Sequence, residues 1–160
     1  MSHRKILVVD DDIVSLHLLN KVASTLNNTS VVMAINGRMA FEIMCFNQFD
    51  LVITDFQMPE MDGLELTKSI RSNYPQTPVI LCTAYGDIGT IRRASEIGAF
   101  DFFTKPLVIG DFKNAIEIAL SFGGSQQLSK NSLAAQKQLQ QRAQEVLAKP
   151  IDGFDKNILN

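Results

Sequence analysis

Along residues 4–122, short apolar runs alternate with longer segments whose apolar positions recur with the period of a helix. The short runs favour strands that are buried on both faces. The longer segments favour amphipathic helices. The predicted strands are 6–9, 31–35, 51–54, 79–82 and 100–103, and the predicted helices are 12–26, 38–46, 64–72, 88–97 and 111–122.

Strands that alternate with helices in this way predict repeated β-α units and therefore a parallel sheet. Right-handed crossovers place helices on both faces of such a sheet. We therefore expect a doubly wound α/β domain with five parallel strands over residues 1–122. In open sheets of this kind, functional groups gather at the carboxyl ends of the strands.

The composition changes after residue 122. Gly123-Gly124-Ser125 predicts a linker, and the segment beyond it, 126–144, holds seven glutamines. We expect a helical tail over 127–148, because this segment is rich in helix formers and contains neither proline nor glycine. Its apolar stripe is narrow, so we expect it to pack against a second copy or against the main domain. A solvated extension is the alternative.

Charge and hydropathy exclude some classes of protein. The formal net charge is −2, which divides into −4 over residues 1–122 and +2 over residues 123–160. These values do not favour binding to nucleic acid or to an acidic membrane surface. No apolar run reaches the ~20 residues of a membrane helix, and no signal peptide is recognisable, so we expect a cytoplasmic protein. Cys45 and Cys82 lack metal or redox spacing and are expected to be core residues.

Charged side chains follow three of the predicted strands. Asp10, Asp11 and Asp12 follow the first strand, Asp55 follows the third, and Lys105 follows the fifth. In one interpretation Asp12 caps the first helix, and the other two neighbouring acids are solvated loop residues. In the other, the acids converge and repel one another until a cation joins them. A hard divalent ion such as Mg²⁺ binds carboxylate oxygens and keeps several waters.

The same residue types suit phosphoryl transfer. A carboxylate such as Asp55 can act as a nucleophile and form an aspartyl phosphate. The transfer requires mainly positioning and neutralisation of charge, which Mg²⁺ and Lys105 would supply. The Thr83 hydroxyl can donate a hydrogen bond to a phosphate oxygen. An ionised aspartate needs no general base, and neither His3 nor His17 is placed to act as one.

Five motifs in order resemble those of the receiver domains of two-component response regulators, the CheY-like superfamily. They are ILVVDD at 6–11, DLVITDFQMP at 50–59, MDG at 61–63, PVILCTA at 78–84 and GAFDFFTKP at 98–106. The resemblance covers residues 4 to about 122. It implies a flavodoxin-like sheet with strand order 2-1-3-4-5.

The resemblance also implies roles for particular residues at the strand ends. Asp55 would be the phosphoacceptor, and Lys105 would bind a phosphoryl oxygen. Asp11 would bind Mg²⁺ directly and Asp10 mostly through water, while Asp55 and the backbone carbonyl of Gln57 would be further ligands. The bond between Lys105 and the proline that follows it is expected to be cis.

Thr83 and Phe102 would form the switch pair of the resembling family. The hydroxyl would move toward the phosphoryl group, and the ring would turn inward behind it. Some positions depart from the commonest family pattern. In the family, the side chains at the positions of Gln57 and Tyr85 border the phosphoryl group and influence its lifetime. In this chain Gln57 is neutral and Tyr85 is large.

The function that the resemblance implies is that of a signalling switch. It would receive a phosphoryl group from a sensor histidine kinase or phosphotransfer protein and change its partner-binding surface. The chain would act alone, or as the N-terminal part of a longer regulator with a DNA-binding or enzymatic effector. A third hypothesis is an aspartate-nucleophile phosphatase. It is disfavoured because Gln57 stands where such enzymes have a second aspartate, so we expect catalysis only of the domain's own phosphorylation and dephosphorylation.

Overall fold

The computed structural model describes residues 2–122 and Gln141. Its helices and strands alternate as predicted, and their ends lie within two residues of the predicted ends. The predicted linker at 123–125 and all of the predicted helix 127–148 except Gln141 lie outside the described residues. The elements are β1 (Arg4–Val9), α1 (Ile13–Ser24), β2 (Thr29–Ala34), α2 (Gly37–Phe46), β3 (Leu51–Asp55), α3 (Gly63–Asn73), β4 (Val79–Thr83), α4 (Ile88–Glu96), β5 (Asp101–Thr104) and α5 (Ile109–Phe122).

The five strands form one parallel sheet in the order β2-β1-β3-β4-β5, which confirms the predicted doubly wound fold. The register pairs Asp55 with Cys82, and Thr83 with Thr104. The last residues of β3, β4 and β5 therefore lie at one edge of the sheet. We call this the carboxyl edge, and the opposite one the amino edge.

Side chains along β1 alternate between the two faces of the sheet. Ile6 and Val8 pack in a cluster with α1 and α5, whereas Leu7 and Val9 pack in a second cluster with α2 and α3. All four side chains are fully buried. Burial of such a side chain stabilises the fold by about 1.5–3 kcal/mol. Helices on both faces therefore explain why this strand is aliphatic throughout.

Aspartates cap several helices near the carboxyl edge, including α1 and α3. Asp12 caps α1 by accepting a hydrogen bond of 3.0 Å from the Ser15 N–H, which confirms the expected cap. Asp62 and Glu65 form a reciprocal capping box at the start of α3. A side-chain cap of this kind contributes about 0.5–2 kcal/mol. Gly63 also permits a close approach, because a Cβ there would lie 2.2 Å from the Asp55 carbonyl oxygen.

The expectation of two core cysteines was half wrong. Cys82 is buried in β4, but Cys45 is exposed. Ala40 and Met44 are the inward-facing residues of α2, and the next residue along a helix is rotated by about 100°. Cys45 is therefore directed outward.

Among residues 2–122 and Gln141, no helix combines the length and the apolar character needed to cross a membrane.

Candidate functional site

Lys105 lies between two carboxylates at the carboxyl edge. Its Nζ is 2.8 Å from Asp10 Oδ2 and 3.1 Å from Asp55 Oδ1. Asp10 is 1% exposed and Asp55 is 8% exposed, so both acids are buried. The peptide bond from Lys105 to Pro106 is cis, as the resemblance implied. Residues that follow or end β1, β3 and β5 thus meet at one point.

Asp11 completes an acidic cluster with Asp10 and Asp55. One carboxylate oxygen from each of the three residues lies within 4.8 Å of the others. Asp11 is exposed, whereas its two neighbours are buried, so the cluster is open to solvent on one side. Oxygen donors with an open side fit a hard divalent cation that keeps some of its waters. The residues present are therefore able to hold such a metal.

The surroundings disfavour the negative charge of Asp55. Burial is the largest effect that raises the pKa of its carboxyl, and the charge of Asp10 adds to it, although Lys105 partly offsets both. Burial by itself would lower the pKa of Lys105. Hydrogen bonds and charges from the two acids outweigh that effect and raise the pKa, so Lys105 remains a cation.

The first turn of α1 contacts this cluster, in part through Ser15, which the sequence did not single out. Asp10 Oδ1 accepts a hydrogen bond of 2.9 Å from the Asp12 N–H. Ser15 Oγ lies 3.4 Å from Lys105 Nζ. Ser15 lowers the pKa of the Asp12 carboxyl, first through its hydroxyl and then through its N–H, which donates to Asp12 Oδ2 at 3.0 Å. The sequence predicted Asp12 as a cap, but the contact between Ser15 and Lys105 depends on where β5 ends.

Residues 6–117 match the sequence model of the family described as "Response regulator receiver domain". The chain belongs to this receiver family. The domain is therefore a signalling domain of two-component systems, with the CheY-like fold described above.

Individual relatives and solved structures agree with this assignment. The receiver is 39% identical over 122 residues to the response regulator protein PilR of Pseudomonas aeruginosa, a match that covers 75% of this chain but 27% of PilR. It is 35% identical to the sporulation initiation phosphotransferase F of Bacillus subtilis, covering 73% of this chain and 94% of that protein. A crystal structure of a receiver domain from Clostridium thermocellum matches with a TM-score of 0.68 and 30% identity, over 74% of this chain and 94% of that one.

Within the described residues, the side chains of the remaining candidates make no hydrogen bond or ion pair with the acidic cluster. Thr83 is 1% exposed. Its Oγ accepts a hydrogen bond of 3.1 Å from the Tyr85 N–H and lies 3.4 Å from the Tyr85 carbonyl oxygen. Within residues 2–122, no hydrogen bond joins Thr83 to Asp55. Gln57 is exposed, two residues beyond Asp55.

Phe102 is buried in a third cluster of the receiver, which includes Leu81 of β4 and Ile91 of α4. The loop between β4 and α4 lies against this ring. A Cβ on Gly86 would be 3.5 Å from Phe102 Cε1 and 2.3 Å from Thr104 Cγ2, so the loop requires glycine here. The loop between β4 and α4 therefore both packs against the Phe102 ring and holds the Thr83 hydroxyl through the Tyr85 backbone.

Proposed function

We propose that this receiver accepts a phosphoryl group on Asp55 from a sensor histidine kinase or a phosphotransfer protein. The observation that supports it most is the placement of Lys105, whose ammonium contacts both Asp10 and Asp55. Asp11 adds a third carboxylate within 4.8 Å. A cation, a carboxylate nucleophile and a set of metal-binding oxygens are the groups that phosphoryl transfer requires.

In the proposed step, a carboxylate oxygen of Asp55 attacks the phosphorus atom of the donor. An oxygen–phosphorus bond forms while the donor's bond to phosphorus breaks, and the electron pair of that bond leaves with the donor. An ionised carboxylate has no proton to lose, so the step needs no general base. The Lys105 ammonium donates hydrogen bonds to the phosphoryl oxygens and offsets their charge.

We assign the resident metal as Mg²⁺, held by Asp10, Asp11, Asp55 and the backbone carbonyl of Gln57. The fit of the three carboxylates to a hard divalent cation supports this assignment. When bound, Mg²⁺ supplies positive charge that stabilises the oxygens of the transferring group. The open side of the cluster at Asp11 leaves room for the donor to approach.

Phosphorylation would change the receiver through Thr83 and Phe102. A phosphoryl oxygen on Asp55 offers the Thr83 hydroxyl a charged acceptor in place of the Tyr85 backbone. Thr83 would turn, and the loop that contacts the Phe102 ring through Gly86 would move with it. The surface formed by α4, β5 and α5 would then shift between two arrangements.

The output of the receiver has two candidates. It would act by binding a downstream protein, with residues 123–160 as a linker and a helical tail that also supports a homodimer. Alternatively, it would be the N-terminal part of a longer regulator. The relatives include a protein that the match covers almost completely and a much longer one. The match spans 94% of the sporulation phosphotransferase but 27% of PilR. We propose neither direct binding to nucleic acid nor binding to a membrane for this chain, and we propose a cytoplasmic location.

Incubation with acetyl phosphate and MgCl₂, followed by intact-mass and peptide analysis, tests the proposed phosphoacceptor. Wild type should gain one phosphoryl group on Asp55, and Asp55→Asn should gain none because an amide is a poor nucleophile. Asp50→Asn is the matched control, because Asp50 precedes the same strand at the amino edge, and it should be labelled as wild type. Full labelling of Asp55→Asn would show that another residue is the acceptor.

A further inference from the structure

The Lys105 ammonium has a third oxygen partner that the proposed chemistry does not use. An ammonium group has three N–H donors and no acceptor. Asp10 Oδ2 lies at 2.8 Å and Asp55 Oδ1 at 3.1 Å, and Ser15 Oγ at 3.4 Å is the third. Lys105 is therefore held from three sides, by residues near the ends of β1 and β3 and by the first turn of α1.

The Ser15 oxygen can accept a hydrogen bond from Lys105. A hydroxyl oxygen has two lone pairs, whereas an ammonium can only donate, so in this contact Lys105 Nζ is the donor and Ser15 Oγ the acceptor. The Ser15 N–H independently donates to Asp12 Oδ2 at 3.0 Å, so the backbone of this turn is fixed whether or not a hydroxyl is present.

The three contacts of Lys105 differ in what phosphoryl transfer does to them. The attacking oxygen of Asp55 becomes part of an acyl phosphate and loses much of its negative charge. Asp10 would share its charge with a bound cation. Ser15 is neutral and belongs to neither group, so phosphoryl transfer does not change its charge. Its oxygen is thus a partner of the ammonium that stays neutral while the charges of the two carboxylates change.

We propose that Ser15 is a positioning residue for phosphoryl transfer, whose hydroxyl holds the Lys105 ammonium toward Asp55. This inference rests on the proposed function of Asp55. It adds a contact from α1 to the reaction centre, so the helix that Asp12 caps also aligns the cation. A hydrogen bond that is well aligned in the transition state changes a rate by about three- to tenfold when it is lost.

Ser15→Ala tests the inference, because alanine keeps the N–H that Asp12 accepts and is favourable in a helix. The dependence of the phosphorylation rate on acetyl phosphate concentration should be measured in excess MgCl₂. We expect the maximal rate of Ser15→Ala to fall about three- to tenfold, with the half-saturating donor concentration unchanged. Ser15→Thr should restore most of the rate because it restores the hydroxyl. Ser24→Ala is the matched control in the last turn of α1, where the hydroxyl bonds Asn20 instead, and should behave as wild type.

A second measurement separates this inference from the proposed function. Carbon relaxation at Cε of Lys105, recorded by NMR without metal or donor, should show greater side-chain mobility in Ser15→Ala than in wild type or Ser24→Ala. Unchanged mobility together with a wild-type rate would overturn the role of Ser15, as would a Ser15→Thr variant as slow as Ser15→Ala. If wild type is never labelled on Asp55, the proposed function fails, and the NMR comparison alone decides whether Ser15 positions Lys105.

Discussion

The two edges of the sheet treat acidic side chains in different ways. At the amino edge, Asp50 accepts hydrogen bonds from Arg4 at 3.2 Å and from the Lys5 N–H at 2.7 Å. Its own N–H donates to the Lys5 carbonyl oxygen at 2.8 Å. Each oxygen of this carboxylate therefore has a donor, and the pairing joins the start of β1 to the start of β3.

At the carboxyl edge, the acids repel one another. Asp10 and Asp55 share the ammonium of Lys105, and Asp11 lies beside them. The raised pKa of Asp55, caused first by burial and then by Asp10, shows that the folded protein disfavours its negative charge. An acid that joins two strands stabilises the fold. An acid kept beside other acids costs stability, and its placement indicates chemistry that uses the excess charge.

The largest expected contrast is in the response to metal. MgCl₂ should raise the unfolding midpoint of wild type, because a cation bound only by the folded state stabilises it. Asp11→Ala should lose most of this shift, since it removes the exposed ligand. Asp50→Asn should keep the whole shift, because it lies at the other edge. Thermal unfolding at increasing MgCl₂ concentrations measures this shift. A shift in Asp11→Ala as large as that of wild type would show that Asp11 does not bind the metal.

A second contrast is in stability without metal. Asp50→Asn should lower the free energy of unfolding by about 1 kcal/mol, because it loses the charge partner of Arg4 in a half-exposed site. Asp55→Asn should raise the free energy of unfolding, because it removes a carboxylate whose charge the folded state disfavours. Urea unfolding in EDTA, followed by circular dichroism, measures both. Destabilisation by both substitutions would mean that the acidic side chain stabilises the fold at both edges.

The stabilising effect of Asp55→Asn should depend on pH. The folded-state pKa of Asp55 lies above the ordinary value of 3.8. The ionised group therefore costs stability above its folded pKa, and this cost disappears as pH falls from there through 3.8. The difference between wild type and Asp55→Asn should be greatest near neutral pH and shrink toward acid. A difference that grows on acidification would mean that the pKa is lowered.

The smallest expected effect concerns the lifetime of the phosphoryl group. The Tyr85 side chain is 72% exposed, so any shielding of the phosphoryl group from water by this ring would be partial. Tyr85→Ala should speed release of phosphate from labelled protein by about twofold, a small change for a lost shield. Tyr74→Ala is the control, because Tyr74 packs against Phe41 and lines a pocket at the amino edge. Equal release from all three proteins would exclude shielding by Tyr85.

Most of the fold was predictable because both faces of the sheet are covered. The continuous aliphatic runs of β1, β3 and β4 follow directly from that environment. The Asp12 cap marked the start of a helix, since its side chain acts within three residues. Cys45 was placed wrongly in the core because two cysteines in a sequence do not reveal which face of a helix each one occupies.

By itself, the sequence determined which side chains follow the strands, and hence that Asp10, Asp11, Asp55 and Lys105 share one edge. Only the tertiary structure decided which atoms meet. Lys105 and Asp10 are 95 residues apart in the chain, and their contact depends on the order of the strands and the rotamers that packing permits. The same holds for Ser15 against Lys105, and for Thr83, whose hydroxyl bonds the Tyr85 backbone rather than Asp55. A local pattern records which residues reach an edge, whereas the directions of their side chains depend on neighbours from distant parts of the chain.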